Sequence, residues 1–231
     1  MSLELLKYFD EALVVALHGG NNLFLDNFVI VLTSAYTWIP LYIALLFLVI
    51  KNNENWKKIF LIIGVLMGTI ILSNILNNLI IKPVFGRIRP FNNPALHHLL
   101  PLVNGYTAKG FSFYSSHTSN CFLILTFITL LVRNKTLSFF LLLWSLMIAW
   151  TRLYVGAHYP TDILIGILLG TLLAIIGYIL YYKTYKITNE HLHFISAQYT
   201  TTGYRLADID IVLNIFILTL IYAVFHAVLQ L

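Results

Sequence analysis

Arg152, His158 and Asp162 fall within one short stretch between two long apolar segments. Asp162 follows His158 by four residues, and Pro160, which lacks a backbone N–H, suits the first turn of a helix. A carboxylate one turn from an imidazole can hold one tautomer and stabilise the protonated ring. Arg152 adds a planar fork of donors that matches phosphate. Lys82 and Arg89 close one apolar run, and Ser115, Ser116 and His117 open another. Three cations, two imidazoles, a carboxylate and a serine pair are the parts needed to cleave a phosphate ester without a metal. The residue types and spacings leave open which histidine attacks phosphorus and which handles the proton.

These clusters sit in an unusually apolar chain. Of its 231 residues, 59% are hydrophobic and 10% charged, against about 25% charged in a soluble domain. The chain reads as all-α, a multi-pass transmembrane helical bundle of about six spans in a single domain. In such a chain the +5 formal charge marks topology before it marks nucleic acid, and no nucleic-acid partner is expected. The lone Cys121 excludes an internal disulfide. The first residues carry Glu4, Lys7, Asp10 and Glu11 where a cleavable signal peptide would have a basic start and an apolar core.

Leu3–Leu17 is amphipathic and too polar to span, so residues 1–20 are expected to form an interfacial helix. The first span lies within Phe24–Ile50, where Pro40 suggests a kink, or an interfacial half followed by a shorter spanning half. The second is Ile59–Ile81, with Gly64 and Gly68 spaced for close helix contact. Asn74, Asn77 and Asn78 near its end are expected to bond neighbouring helices or steady Lys82, the first more readily. Pro83 and Pro90 should break the helix, leaving a long loop to Phe113 of the kind that is usually functional. Further spans are expected at Ser116–Val132, Thr136–Arg152 and Pro160–Tyr182, the last with Gly166 and Gly170 four apart. Residues 184–208 read as a polar extramembrane segment and 209–231 as an additional span. Eight Lys and Arg residues flank the spans on one side and six on the other. Without Lys82, Arg89 and Arg152, the second side keeps three. Cytoplasmic loops carry the excess of basic residues, which places all three clusters on the extracytoplasmic face of a cell (inner) membrane, periplasmic in a Gram-negative bacterium.

The three clusters resemble the signature of the type 2 phosphatidic acid phosphatase (PAP2) superfamily, which includes the vanadium haloperoxidases. That signature reads K-x6-R-P, P-S-G-H and S-R-x5-H-x3-D. Lys82, Arg89 and Pro90 match the first part, Ser115 and His117 the second, and Arg152, His158 and Asp162 the third. Tyr114, Ser116 and Thr151 depart from it and remove no ionisable group. The resemblance covers residues 24–183. It implies a PAP2/haloperoxidase-like core with no metal or other cofactor. It makes His158 the nucleophile, through a phosphohistidine, and His117 the general acid and base. Asp162 orients His158, while Lys82, Arg89, Ser115, Ser116 and Arg152 bind phosphate.

A site at a membrane surface favours a lipid phosphate, whose apolar part stays in the bilayer. The resemblance offers undecaprenyl or other polyprenyl pyrophosphate, the phosphates of lipid A, phosphatidylglycerophosphate and phosphatidic acid. Arg87 and Lys109 are further cations on the same face, available for a second phosphate or headgroup. A transporter would place ionisable residues at mid-membrane, and these spans lack them. An inactive scaffold would not need His117, His158 and Asp162. The pairs His97–His98 and His191–His193 lack a third ligand for a metal.

Overall fold

The computed structural model describes residues 3–188 and 197–231. Helix α1 (Leu3–Leu17) leads into α2 (Leu23–Thr33) and α3 (Ile39–Lys51). Then follow α4 (Trp56–Ile75), a π-helical turn (Leu76–Ile81) and the short α5 (Lys82–Phe85). Helices α6 (Ser116–Val132), α7 (Lys135–Tyr154), α8 (Pro160–Thr188) and α9 (Leu206–Leu229) complete the chain. Among the described residues the only β pairing is one isolated bridge, between Tyr199 and Arg205. His191 and His193 lie outside the described residues.

Among the described residues, four stretches are long and apolar enough to cross a membrane: Trp56–Asn92, Lys135–Tyr154, Pro160–Tyr185 and Leu206–Leu229. The pair α2 and α3, bent by 65°, adds a fifth if it forms one span. The multi-pass helical bundle is thus present, with four or five spans by length in place of about six. Helix α6 is the difference. Its 17 residues reach about 26 Å at 1.5 Å per residue, short of a hydrocarbon core of about 30 Å.

Two prolines act differently from expectation. The bend in the first span falls at Ser34 and the 3₁₀ turn Ala35–Trp38, ahead of Pro40. Pro40 instead sits in the first turn of α3, where its missing N–H leaves no bond unmade. Pro83 does not end its helix. The preceding turn is wound as a π helix, with the Lys82 N–H bonded to the Asn77 carbonyl five residues back. The wider turn admits the proline ring, and the helix stops only at Gly86, whose φ of 55° closes it in the left-handed region.

The core lies between α6, α7 and α8, with α3 and α9 behind them. There Trp38 meets Trp144 edge-on and stacks on Phe216, with ring centroids 5.9 Å apart in each pair. Helix α9 lies along α2 and α3. The Asn27 amide donates to the Ala227 and Gln230 carbonyls near its end, and Asn52 donates to Asp208 near its start. This last span therefore buttresses the first and stands away from the three clusters. Helices α6 and α8 pack most extensively of all. A Cβ at Gly166 would lie 2.9 Å from the Ser115 carbonyl oxygen, and one at Gly170 would lie 2.2 Å from that of Ser119. Gly64 and Gly68 would meet nothing within 4 Å. Of the two glycine pairs, only the second seats a helix.

Candidate active site

The seam between α6 and α8 brings two clusters to one end of the bundle. The Ser115 N–H donates to the Asp162 carbonyl at 3.2 Å, so the two helices begin side by side. Ser115 caps α6, its hydroxyl accepting from the Thr118 N–H and hydroxyl. His117, one residue inside that helix, is exposed. No hydrogen bond to it is found among the described residues. The charges of Lys82, Arg89 and Arg152, and His158 itself, act on its ring. All three clusters therefore surround one locus.

His158 sits in the turn ahead of α8 and is 2% exposed. Its Nδ1 faces Asp162 Oδ2 at 3.6 Å. Its Nε2 faces the Arg89 guanidinium, 3.3 Å from Nη1. A guanidinium only donates, so that contact requires a lone pair on Nε2 and puts the proton on Nδ1, toward the carboxylate. This is the tautomer an attacking imidazole needs. Asp162 is fully buried and is fixed in turn by the Tyr159 N–H on Oδ2 at 2.9 Å and by Arg87 on Oδ1 at 2.6 Å.

Burial pushes the His158 imidazole down to about 4, against Asp162, which raises it; Arg152 and Arg89 lower it further. The ring is then neutral and nucleophilic above about pH 4. A reaction step in which this ring attacks should therefore show no His158 limb near 6.5, the ordinary histidine value, and should slow only toward pH 4. The same shift has a sign for stability. The folded state holds this proton less tightly than the unfolded one, so the protein loses stability as pH falls from 6.5 toward 4.

The cations differ in how they are held. Lys82 Nζ donates to Asn78 at 2.9 Å and to the Ser116 hydroxyl at 3.3 Å. Asn77 donates to that same hydroxyl at 2.8 Å and to the Tyr114 carbonyl at 2.9 Å. The asparagines thus serve both expected purposes, since Asn74 pairs with Asn120 across α4 and α6. Arg89 Nε donates to the Gly110 carbonyl, Nη2 to that of Lys109 and Nη1 to that of Ala157, each at 3.0 Å. It fastens the long loop over His158 as well as supplying charge. Arg152, 1% exposed, is gripped by Thr33 at 2.5 Å and by the Tyr106 hydroxyl at 2.8 Å. Its buried Nε has no partner among the described residues.

Arg87 and Lys109, read from the sequence as a pair of additional headgroup cations, have separate fates. Lys109 is exposed. Arg87 is engaged by two carboxylates, Asp162 at 2.6 Å and Asp10 at 2.5 Å, and lies 3.9 Å over the Tyr159 ring. Sequence reasoning missed Asp10, Thr33 and Tyr106. None falls in a motif, and each reaches the site only through the packing of a distant element. Among the described residues no three His, Cys, Asp or Glu side chains are grouped to hold a metal.

The PAP2 superfamily profile matches residues 62–186. The lipid A 4'-phosphatase of Bacteroides thetaiotaomicron is 33% identical over 188 residues, 80% of this chain and 81% of that protein. The lipid A 4'-phosphatase of Porphyromonas gingivalis is 28% identical over 78% of this chain and 74% of its own. Undecaprenyl-diphosphatase BcrC of Bacillus subtilis is 29% identical over 68% and 78%. The crystal structure of Aquifex aeolicus LpxE superposes with a TM-score of 0.53 at 26% identity, covering 73% of this chain and 94% of that one. With the motif residues gathered at one end of a helical bundle and more than half the chain matched, this protein belongs to the PAP2 superfamily.

Proposed function

We propose that this membrane phosphatase removes a phosphate group from a lipid A-type glycolipid through a phosphohistidine on His158. The carrying observation is the ring of His158, held with Nδ1 toward Asp162 and Nε2 toward the phosphate-binding arginine. In the first step Nε2 attacks phosphorus and the ester P–O bond breaks. His117 gives its proton to the leaving oxygen, while Lys82, Arg89 and Arg152 balance the charge on the non-bridging oxygens. In the second, His117 takes a proton from water. The resulting hydroxide attacks phosphorus, the P–N bond breaks, and inorganic phosphate leaves. Ser115 and Ser116 complete the oxyanion cradle.

The substrate class is supported by the two relatives named for lipid A and by the resemblance to LpxE. The site lies on the extracytoplasmic face of the inner membrane, as the basic-residue asymmetry of the loops supports. Helix α1 lies in the interface beside it, with Leu5, Leu6, Phe9 and Leu13 turned outward. Residues 24–183 form the catalytic membrane domain.

The test is phosphate release in detergent from lipid A, undecaprenyl diphosphate, phosphatidylglycerophosphate and phosphatidic acid, each with and without EDTA. Lipid A is expected to give the highest kcat/KM, unchanged by EDTA and suppressed by vanadate. A higher value for undecaprenyl diphosphate would overturn the substrate assignment, and loss of release on chelation would overturn the metal-free route.

A further inference from the structure

Asp10 is 3% exposed, on a helix whose large apolar side chains face outward. It belongs to none of the three motifs and lies outside residues 62–186, the stretch that matches the family profile. Its carboxylate reaches two elements at once. One oxygen accepts from the Thr161 N–H in the first turn of α8, at 3.0 Å, and the other from the Thr161 hydroxyl and from Arg87 Nη2. Arg87 Nη1 then donates to Asp162, which faces His158. Four groups thus stand in a line, Asp10, Arg87, Asp162 and His158, with alternating charge once His158 becomes positive on attack.

The alternation matters because Arg87 competes with His158 for one carboxylate. When Nε2 bonds to phosphorus, the ring takes on a positive charge that Asp162 must balance. An unbalanced guanidinium 2.6 Å from Asp162 would oppose that charge. A carboxylate on the guanidinium's far side cancels most of the effect in a buried site, where charges are poorly screened. We propose that Asp10, supplied by the N-terminal helix, is a positioning residue of the active site: it neutralises Arg87 and thereby leaves the charge of Asp162 for His158. It also secures the first turn of α8, on which Asp162 stands.

This inference rests on His158 being the nucleophile. Asp10→Asn in the full chain keeps an acceptor for the Thr161 N–H and removes the charge. It is expected to lower kcat about tenfold with KM within about twofold of wild type, while Glu4→Gln, an exposed charge on the same helix, changes neither. Removing Arg87 as well, in Asp10→Asn/Arg87→Gln, should raise kcat above that of Asp10→Asn alone, because the competing cation is gone. A purely structural clamp would give a double variant no better than the single one, and that result would overturn the inference. Wild-type kcat in Asp10→Asn beside an inactive His158→Ala would overturn it too, leaving the reaction scheme intact. An active His158→Ala would instead bring down the scheme and the inference with it. Should Asp10→Asn not accumulate, the neutral Asp10→Ser carries the same comparison.

Discussion

Replacing His158 by alanine should abolish phosphate release, with kcat falling by roughly a thousandfold or more, as loss of a nucleophile does in covalent hydrolases. The protein should still fold. His158 is buried, but its ring is sparsely held: it contacts Arg89 at 3.3 Å, and its Nδ1 lies 3.6 Å from Asp162 without a hydrogen bond. Arg89 keeps its three carbonyl acceptors without the ring. Asp162 keeps Arg87 and the Tyr159 N–H. The change therefore removes the reacting atom and leaves its supports. His117→Ala gives a contrasting signature. Its ring is exposed and makes no bond that fixes the fold, so the loss should fall on proton transfer. Labelled phosphate should then accumulate on the protein during turnover. Accumulation in His158→Ala, with none in His117→Ala, would reverse the two roles.

Gly170→Ala should be nearly as damaging, though no part of residue 170 touches substrate. The added methyl would sit 2.2 Å from the Ser119 carbonyl oxygen and 2.9 Å from its carbon. Both are helix backbone, which no rotamer change can move. Helices α6 and α8 would have to part, and overpacking of this kind costs about 1–3 kcal/mol. The same movement carries Ser115 and His117 away from Asp162 and His158. A displacement of about 1 Å in an active site can cost about a hundredfold in rate. The expected result is a lowered melting temperature together with a fall in kcat of about that size. Gly68→Ala is the internal control, because its methyl enters open space, and it should leave both quantities nearly unchanged. Equal effects from the two substitutions would mean that the α6–α8 seam does not set the geometry of the site.

These glycines also mark how far the sequence could be read. Gly64-x3-Gly68 and Gly166-x3-Gly170 are the same pattern on similarly apolar helices, and nothing local separates them. Which one is used depends on which helix arrives opposite, a matter of tertiary packing. The ionisable motifs were legible for the opposite reason. Charge and imidazole next to apolar spans carry a large desolvation penalty, so their presence and order already restrict what they can do. Most span positions followed from hydropathy, Ser116–Val132 being the exception, and helix α1 occupies Leu3–Leu17. The pairing of Arg87 was not legible because its partner Asp10 lies 77 residues away, on a helix that looked self-contained. Pro83 was misjudged because a proline normally ends a helix, and the widened turn that accommodates it has no signature in Leu76–Ile81.

That turn also governs how the chain can vary. Residues 76–81 act as a phase shifter between a lipid-facing helix and the lysine that follows. The wide turn already absorbs one residue more than an ordinary turn, so a deletion there would restore ordinary winding in phase, whereas one further residue inserted would rotate everything downstream by about 100°, carrying Lys82 off the Ser116 side and toward the acyl chains. Changes in length between Asn93 and Tyr106 would alter no such angle. Two stretches close together in sequence should therefore accept insertions very unequally, and a library of single-residue insertions would show tolerance after Lys82 and none in the turn before it.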